Sequence, residues 1–248
     1  MPAIEKLKHI AVELKGHAPF TACGALAGIV FMLVFHRMAA DHAEKLFVVF
    51  HPAHVLLSAM VTASLFSLHR KAKNLLLILI IGYVGSVGIA TLSDSVVPYI
   101  GETLLGLHVP THAHTHTDHG QADKDEEFIH KVHLGFIEEW YIVNPAAILG
   151  VLIACLLPRT KLPHAAHVLI STWASLSHIM MNTTVAITPS RIIGIFITLF
   201  IAVWVPCCIS DIVFPLLFVK SDIELKGICP QHVLHSHPHA KDSAESQK

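Results

Sequence analysis

Six long apolar stretches constrain the fold of this 248-residue chain more than any other feature of its sequence. They cover residues 18–35, 47–68, 75–97, 141–158, 164–188 and 192–219. A helix needs about 20 predominantly apolar residues to cross the hydrocarbon core of a bilayer, and only 14% of the residues are charged. We therefore predict an all-α integral membrane protein with six transmembrane helices.

The distribution of Lys and Arg predicts how these helices are oriented. With the N-terminus inside, the inner loops and tails carry more Lys and Arg than the outer ones, so the positive-inside rule places both termini inside. We expect the inner membrane of a prokaryotic cell. A net charge of -1 lacks the basic excess that nucleic acids require. The expected partners are therefore a metal ion and the lipid bilayer, with a homo-oligomer left open.

Two short motifs occur twice in the same order. HPAHVLLS at 51–58 is matched by HAAHVLIS at 164–171, and SDSVVP at 93–98 is matched by SDIVFP at 210–215. We interpret the echoes as a duplication, in which each half contributes three spans. Because three is odd, the second half is inverted relative to the first, as in the inverted repeats of many secondary transporters.

The duplication divides the chain into five segments. An interfacial amphipathic helix (1–16) precedes the first three-helix repeat (17–107), and a His-rich extramembrane linker (108–122) follows it. A second amphipathic helix and the second three-helix repeat occupy 123–219, followed by a His-rich tail (220–248). The two amphipathic helices thus precede spans 1 and 4.

The duplicated His and Asp residues are the first candidate metal ligands. His-x-x-His on a helix places two imidazoles on one face, one turn apart, and a carboxylate within a span is costly unless it has a partner or a function. Imidazoles and carboxylates together suit Zn²⁺, Fe²⁺, Mn²⁺, Co²⁺ or Ni²⁺. We expect one set in each half: His51, His54 and Asp94 in the first, and His164, His167 and Asp211 in the second. The alternative is that these His and Asp residues only form hydrogen bonds between helices.

Prolines near these residues predict where the residues lie in their helices. Pro52 and Pro163 suit the first turn of a helix, so we expect the His pairs at the starts of spans 2 and 5. In the predicted orientation, the first set then lies in the outer half of the membrane and the second in the inner half. The sequence leaves open whether these are two sites or the halves of one central site. Each Asp is followed four residues later by Pro, which predicts a carboxylate beside a kink.

Further candidate ligands occur only in the second half. Cys207 and Cys208 follow a proline in the middle of span 6, where an unwound turn would let both thiols face one ion. The alternative is that these Cys are small buried apolar residues. His178 lies one turn before Asn182 in span 5, and a hydrogen bond inside the bundle explains this pair at least as well as metal ligation.

Two His-rich tracts, at 108–119 and 232–239, contain nine of the 21 His residues and are expected to gather metal ions weakly. They resemble the His-rich loops of zinc transporter families, but the intramembrane signatures of those families are absent, so the sequence is assigned to none. After the first tract, Glu126, His130 and His133 share a helical face, which we interpret as solvated. Glu102 is expected to line an outer vestibule.

These features predict a secondary transporter of a divalent transition metal ion, with zinc first among them, working by alternating access of two pseudo-symmetric halves. The main alternative is a membrane metalloenzyme that acts on a lipid or a quinone. A b-type haem protein is disfavoured because its axial His residues would have to lie at one depth. An anion transporter is the remaining alternative, since the positive partial charge of a helix N-terminus favours anions over cations.

Overall fold

The computed structural model describes residues 3–35, 40–70, 74–107, 133–157, 161–183 and 185–209, which are mostly helical and contain no strand. The elements are α1 (Ala3–Val34), α2 (Ala40–Arg70), α3 (Leu75–Thr91), a π-helical turn (Leu92–Val96), α4 (Val97–Leu104), α5 (Gly135–Glu138), α6 (Trp140–Leu156), α7 (Lys161–Asn182) and α8 (Pro189–Cys208).

Four stretches of the described helices are long and apolar enough to cross a membrane: Leu14–Val34, Ala40–Ser67, Leu75–Leu104 and Pro189–Cys207. The third of them runs through α3, the π-helical turn and α4. Helix α6 is apolar but has only 17 residues, or about 25 Å of helix. Helix α7 has 22 residues, but its many Ser, Thr and His residues lower its hydropathy. The all-helical, membrane-type architecture agrees with the sequence prediction.

The bundle has an apolar surface, and its interior holds polar side chains among apolar ones. Large apolar side chains are exposed along the helices, among them Val30 (60%) and Ile193 (62%), whereas His54, Asp94 and His178 are completely buried. Extended apolar surface on a soluble monomer is rare and marks a binding or membrane surface. A lipid-facing exterior around a core that contains polar groups accounts for both observations.

Helix α2 lies at the centre of the bundle and packs against α3, α6 and α7. Glycine allows one of these contacts to be close: a Cβ atom at Gly150 of α6 would lie 2.4 Å from the carbonyl oxygen of Leu56 and 2.8 Å from Cβ of Ala59. Small residues at helix interfaces are the usual means of close packing within membranes. Helices α2 and α7 run antiparallel, since Phe47 contacts His178 at one level and His54 contacts His167 further along.

The prediction that the first His pair lies at the start of span 2 is wrong. Helix α2 begins at Ala40 and includes Pro52 in its interior, so His51 and His54 lie about three turns or more inside it. Charged residues such as Asp41 continue the helix beyond the apolar stretch, which hydropathy cannot detect. The corresponding prediction for Pro163 is correct, because Pro163 is the third residue of α7.

The expected boundary between the interfacial helix and span 1 is not a break in the backbone. Helix α1 runs without interruption through both, from Ala3 to Val34, and includes Pro19. Its apolar part packs against α7 and α8. Residues 3–16 are therefore a helical extension of the first span.

Close packing at Gly150 generates a stability prediction. Gly150→Ala should destabilise the bundle by about 1–3 kcal/mol, because the added methyl group overlaps α2. Gly88→Ala is the matched control, since Gly88 is exposed on α3 and a Cβ there meets nothing within 4 Å. Thermal unfolding in detergent, followed by circular dichroism, measures both. Equal stability of the two variants would contradict the close contact between α2 and α6.

Candidate metal centre

The carboxylate of Asp94 is the centre of a buried hydrogen-bond network. Its Oδ2 atom lies 2.9 Å from Nδ1 of His51 and 2.6 Å from Nδ1 of His54. Its Oδ1 atom accepts hydrogen bonds from the hydroxyl groups of Ser93 at 2.7 Å and Ser171 at 3.2 Å. A carboxylate offers about four lone-pair sites, so these four donors fill its accepting capacity.

A π-helical turn presents this carboxylate to the interior. The backbone N–H of Val97 bonds to the carbonyl oxygen of Leu92, five residues earlier. Pro98 has no N–H to give to the carbonyl of Asp94, which removes one α-helical bond at this position. Single π turns within α-helices are frequent at functional sites. The predicted carboxylate beside a kink is therefore a carboxylate inside a π turn.

The network fixes the tautomers of two imidazoles. An ionised carboxylate can only accept hydrogen bonds, so both His51 and His54 must donate from Nδ1. In the neutral form of each ring, Nε2 then carries the lone pair. Metal-binding His residues usually donate their other N–H to a carboxylate in this way. Asp94, predicted to be a metal ligand, instead lies behind the imidazoles and orients them.

One potential metal site combines residues from both predicted sets. The rings of His54 and His167 stack with centroids 4.6 Å apart. One donor atom from each of His54, His167 and Cys207 lies within 4.8 Å of the other two, and all three residues are buried. We call these three residues the buried cluster. Two imidazoles and a thiol suit zinc better than a hard oxygen-seeking cation.

The buried cluster corrects the predicted division into an outer set and an inner set. His54 from the first half and His167 from the second meet at one depth. The reason is that α2 begins well before its His pair, which carries His54 deeper than the sequence alone indicates. His51 and His54 both direct Nδ1 at the same oxygen of Asp94, so the predicted triad does not surround a single ion.

A second group of titratable side chains lies where α5 and α6 begin. His133 contacts two carboxylates: Nδ1 lies 2.9 Å from Oε2 of Glu138, and Nε2 lies 3.1 Å from Oε1 of Glu139. We call these three residues the mouth cluster, because their side chains remain 15%, 19% and 10% exposed, respectively. No sequence motif singles out the two Glu residues, and the helical pattern predicts a solvated face for His133.

The charges of the mouth cluster act on its imidazole. Burial disfavours the charged form of His133, but the hydrogen bond to Glu139 and the negative charges of Glu138, Glu139 and Glu44 outweigh it. The pKa of His133 is therefore raised above its ordinary value. A group that stabilises one positive charge on an imidazole also offers a negative potential to a cation.

His178, predicted to be a possible metal ligand, lies outside the buried cluster. Its Nδ1 atom is 2.7 Å from Oε1 of Glu102 and 3.3 Å from Nδ2 of Asn182. Both His178 and Glu102 are completely buried. The arrangement matches the interior hydrogen-bond alternative for His178. Glu102 is more deeply placed than the predicted outer vestibule.

Several predicted site residues cannot be located. The backbone of His164 lies in α7 and that of Cys208 in α8, but their side chains are outside the described part of the structure. Asp211 lies entirely outside the described residues. The same holds for Glu126, His130 and both His-rich tracts.

The network around Asp94 predicts the consequence of removing its charge. Asp94→Asn should destabilise the protein by about 1–3 kcal/mol, because an amide cannot accept all four hydrogen bonds. It should also release the fixed Nδ1–H tautomer of His51 or His54, visible in ¹⁵N NMR spectra of labelled imidazoles. Asp41→Asn, at an exposed position, should change neither property. Unaltered imidazole spectra in Asp94→Asn would contradict the network.

The chain matches no protein-family model, no curated protein and no solved structure. Its function is therefore inferred from the chemistry of the two clusters and from their place in the bundle.

Proposed function

We propose that this chain is a secondary transporter of a divalent transition metal ion, zinc foremost, and that the buried cluster binds the ion in transit. The observation that carries this proposal is a completely buried group of two imidazoles and a thiol inside a bundle with an apolar exterior. Polar and ionisable groups within membrane spans are expensive and usually functional. Here three such groups, from His54, His167 and Cys207, lie next to one another.

Charge balance favours a divalent cation. A bound Zn²⁺ would deprotonate the thiol of Cys207, and the resulting thiolate together with the carboxylate of Asp94 cancels the two positive charges. The ion would thus enter the interior without leaving a net charge there, which limits the cost of burial. A sulfur ligand also disfavours the alternative of anion transport.

Three protein ligands leave one tetrahedral position open. Structural zinc sites are closed by four protein ligands, whereas sites that exchange a ligand keep a position for water or another group. An open position lets an ion arrive and leave by stepwise ligand exchange. This property suits a transport site better than a structural one.

The proposed inverted repeat predicts the depth of the site in the membrane. His54 and His167 occupy equivalent positions of the duplicated motif, and their rings stack face to face between antiparallel helices. Equivalent residues meet in this way when they lie beside a two-fold axis. Ile209, equivalent to Leu92 in the second motif, is also π-helical. Such axes pass through substrate sites near the midplane in many transporters.

We accordingly retain six spans, arranged as two inverted three-helix repeats, with both termini inside a prokaryotic inner membrane. Helices α6 and α7 supply the two spans that are short or polar. Buried His, Ser and Thr residues lower the hydropathy of α7: His167, Ser171, Thr172, Ser175, Ser177 and His178. A helix with this inward polar face is suited to line an ion pathway.

A membrane metalloenzyme is the second candidate function. The observation in its favour is the same ligand count, because catalytic zinc sites also combine three protein ligands with an open position. A haem protein is disfavoured on new grounds. His54 and His167 stack ring on ring, whereas axial ligands must point their nitrogens at an iron from opposite sides.

Zinc flux into proteoliposomes tests the transport proposal. The full chain is reconstituted with a zinc-sensitive fluorophore inside the vesicles. His167→Ala and Cys207→Ser should each lower the initial rate at least about tenfold, since losing a ligand should cost no less than the 10–100-fold typical of outer-shell changes. His42→Ala and Cys155→Ser are matched controls at exposed positions and should retain the wild-type rate.

Two results would contradict the proposal. One is a wild-type flux in both ligand variants, which would remove the buried cluster from the pathway. The other is the absence of wild-type flux while an added ionophore still delivers zinc to the fluorophore. In that second case, the wild type could still hold one zinc ion per chain. Loss of this ion in Cys207→Ser would favour the metalloenzyme.

A further inference from the structure

We propose that the mouth cluster and Nε2 of His51 together form a second divalent-cation site, which binds the ion before it reaches the buried cluster. The proposal rests on the proposed transport function for its role, but the binding site itself can be tested separately. It concerns His133, Glu138 and Glu139 at the beginning of α5 and α6, and His51 on α2.

Two buried atoms without hydrogen bonds among the described residues point to a ligand here. They are Nε2 of His51 and Oε2 of Glu139, and the two residues are 1% and 7% exposed. Both atoms border the space beside Gly135: a Cβ atom at this position would lie 2.7 Å from the nitrogen and 3.1 Å from the oxygen. An unpaired ring nitrogen and an unpaired carboxylate oxygen beside the same glycine are what a cation would satisfy.

The mouth cluster is held against the Asp94 network by further contacts. The ring of Phe47 stacks on His51 with a centroid separation of 5.1 Å, and its edge meets His133 at 5.4 Å. The hydroxyl group of Ser95, the residue after Asp94, donates to the carbonyl oxygen of His133 at 2.9 Å. The two regions are therefore parts of one packed unit.

The backbone at His133 supports the same arrangement. Its φ angle of 52° lies in the left-handed region, which is uncommon for a residue with a side chain. Such conformations persist where the surrounding structure holds them, and they occur often at functional sites. Here the turn places the imidazole between Glu138 and Glu139.

The donor set defines the class of cation. Two carboxylates and the imidazole of His51, without sulfur, suit Mn²⁺, Fe²⁺, Co²⁺ and Zn²⁺, while both ring nitrogens of His133 contact the carboxylates and position them. The buried cluster offers a softer set of donor atoms, because it contains a thiol. Nε2 of His51 would bind an ion that the mouth cluster holds. Nδ1 of His51 bonds to the same oxygen of Asp94 as Nδ1 of His54. Asp94 thus orients one imidazole towards each site.

Manganese binding to the full chain tests the site. Mn²⁺ is the probe because imidazole tracts and thiolates bind it more weakly than they bind the later first-row metals. Loss of the free Mn²⁺ signal in electron paramagnetic resonance gives the affinity. Glu139→Gln should weaken binding at least about tenfold. Glu138→Gln, at the more exposed Glu, should do the same with less risk to folding.

Two controls separate this site from the rest of the molecule. Asp41→Asn removes an exposed carboxylate at the start of α2, and Cys207→Ser alters the buried cluster; both should leave the Mn²⁺ affinity unchanged. Equal affinity of the wild type and both Glu variants would overturn the proposal. So would an affinity that falls in Cys207→Ser as much as in Glu138→Gln.

A transport measurement then tests the role of the site. In proteoliposomes at limiting zinc, Glu138→Gln should raise the apparent KM at least about tenfold and leave the maximal rate near that of the wild type. An unchanged KM would overturn the role in loading. If the wild type binds Mn²⁺ as expected but carries no zinc, the transport function fails and the binding site stands.

Discussion

The burial of one carboxylate, that of Asp94, is the constraint on which the arrangement of the bundle depends. An isolated charge in an apolar interior costs many kcal/mol, and its cost falls only when donors surround it. Three helical elements supply these donors: His51 and His54 from α2, Ser93 from the π turn, and Ser171 from α7. The relative positions of α2, α7 and the π turn are therefore fixed together, and the imidazoles acquire their orientation from the same bonds.

The rest of the bundle follows from placing that network in a membrane. Apolar side chains cover the outside, and α2 places His54 against His167 of α7 and Ala59 against Gly150 of α6. Close approach at Gly150 draws α6 onto α2, and α6 begins at the mouth cluster. The geometry of one helix interface thus helps to determine how near Glu139 lies to His51. The contact between α2 and α6 that stabilises the bundle therefore also positions residues of the proposed pathway.

Much of the site follows from the repeated motifs, and the rest depends on distances that a sequence does not contain. The association of His51 and His54 with Asp94 is anticipated because all three are ionisable residues in apolar stretches. The depth of His54 is not anticipated, because the start of α2 lies among charged residues that hydropathy assigns to a loop. Its stacking on His167 depends on that depth and on helix rotation. Glu139 is missed because an acidic segment outside the spans is usually solvated.

X-ray absorption at the zinc edge tests the central claim most directly. The full chain is loaded with less than one zinc ion per molecule, so that the tightest site fills before the His-rich tracts. The account predicts one sulfur neighbour at about 2.3 Å and imidazole nitrogens at about 2.0–2.1 Å, with the sulfur lost in Cys207→Ser and kept in Cys155→Ser. A coordination shell of nitrogen and oxygen alone in the wild type would contradict the buried cluster as the zinc site.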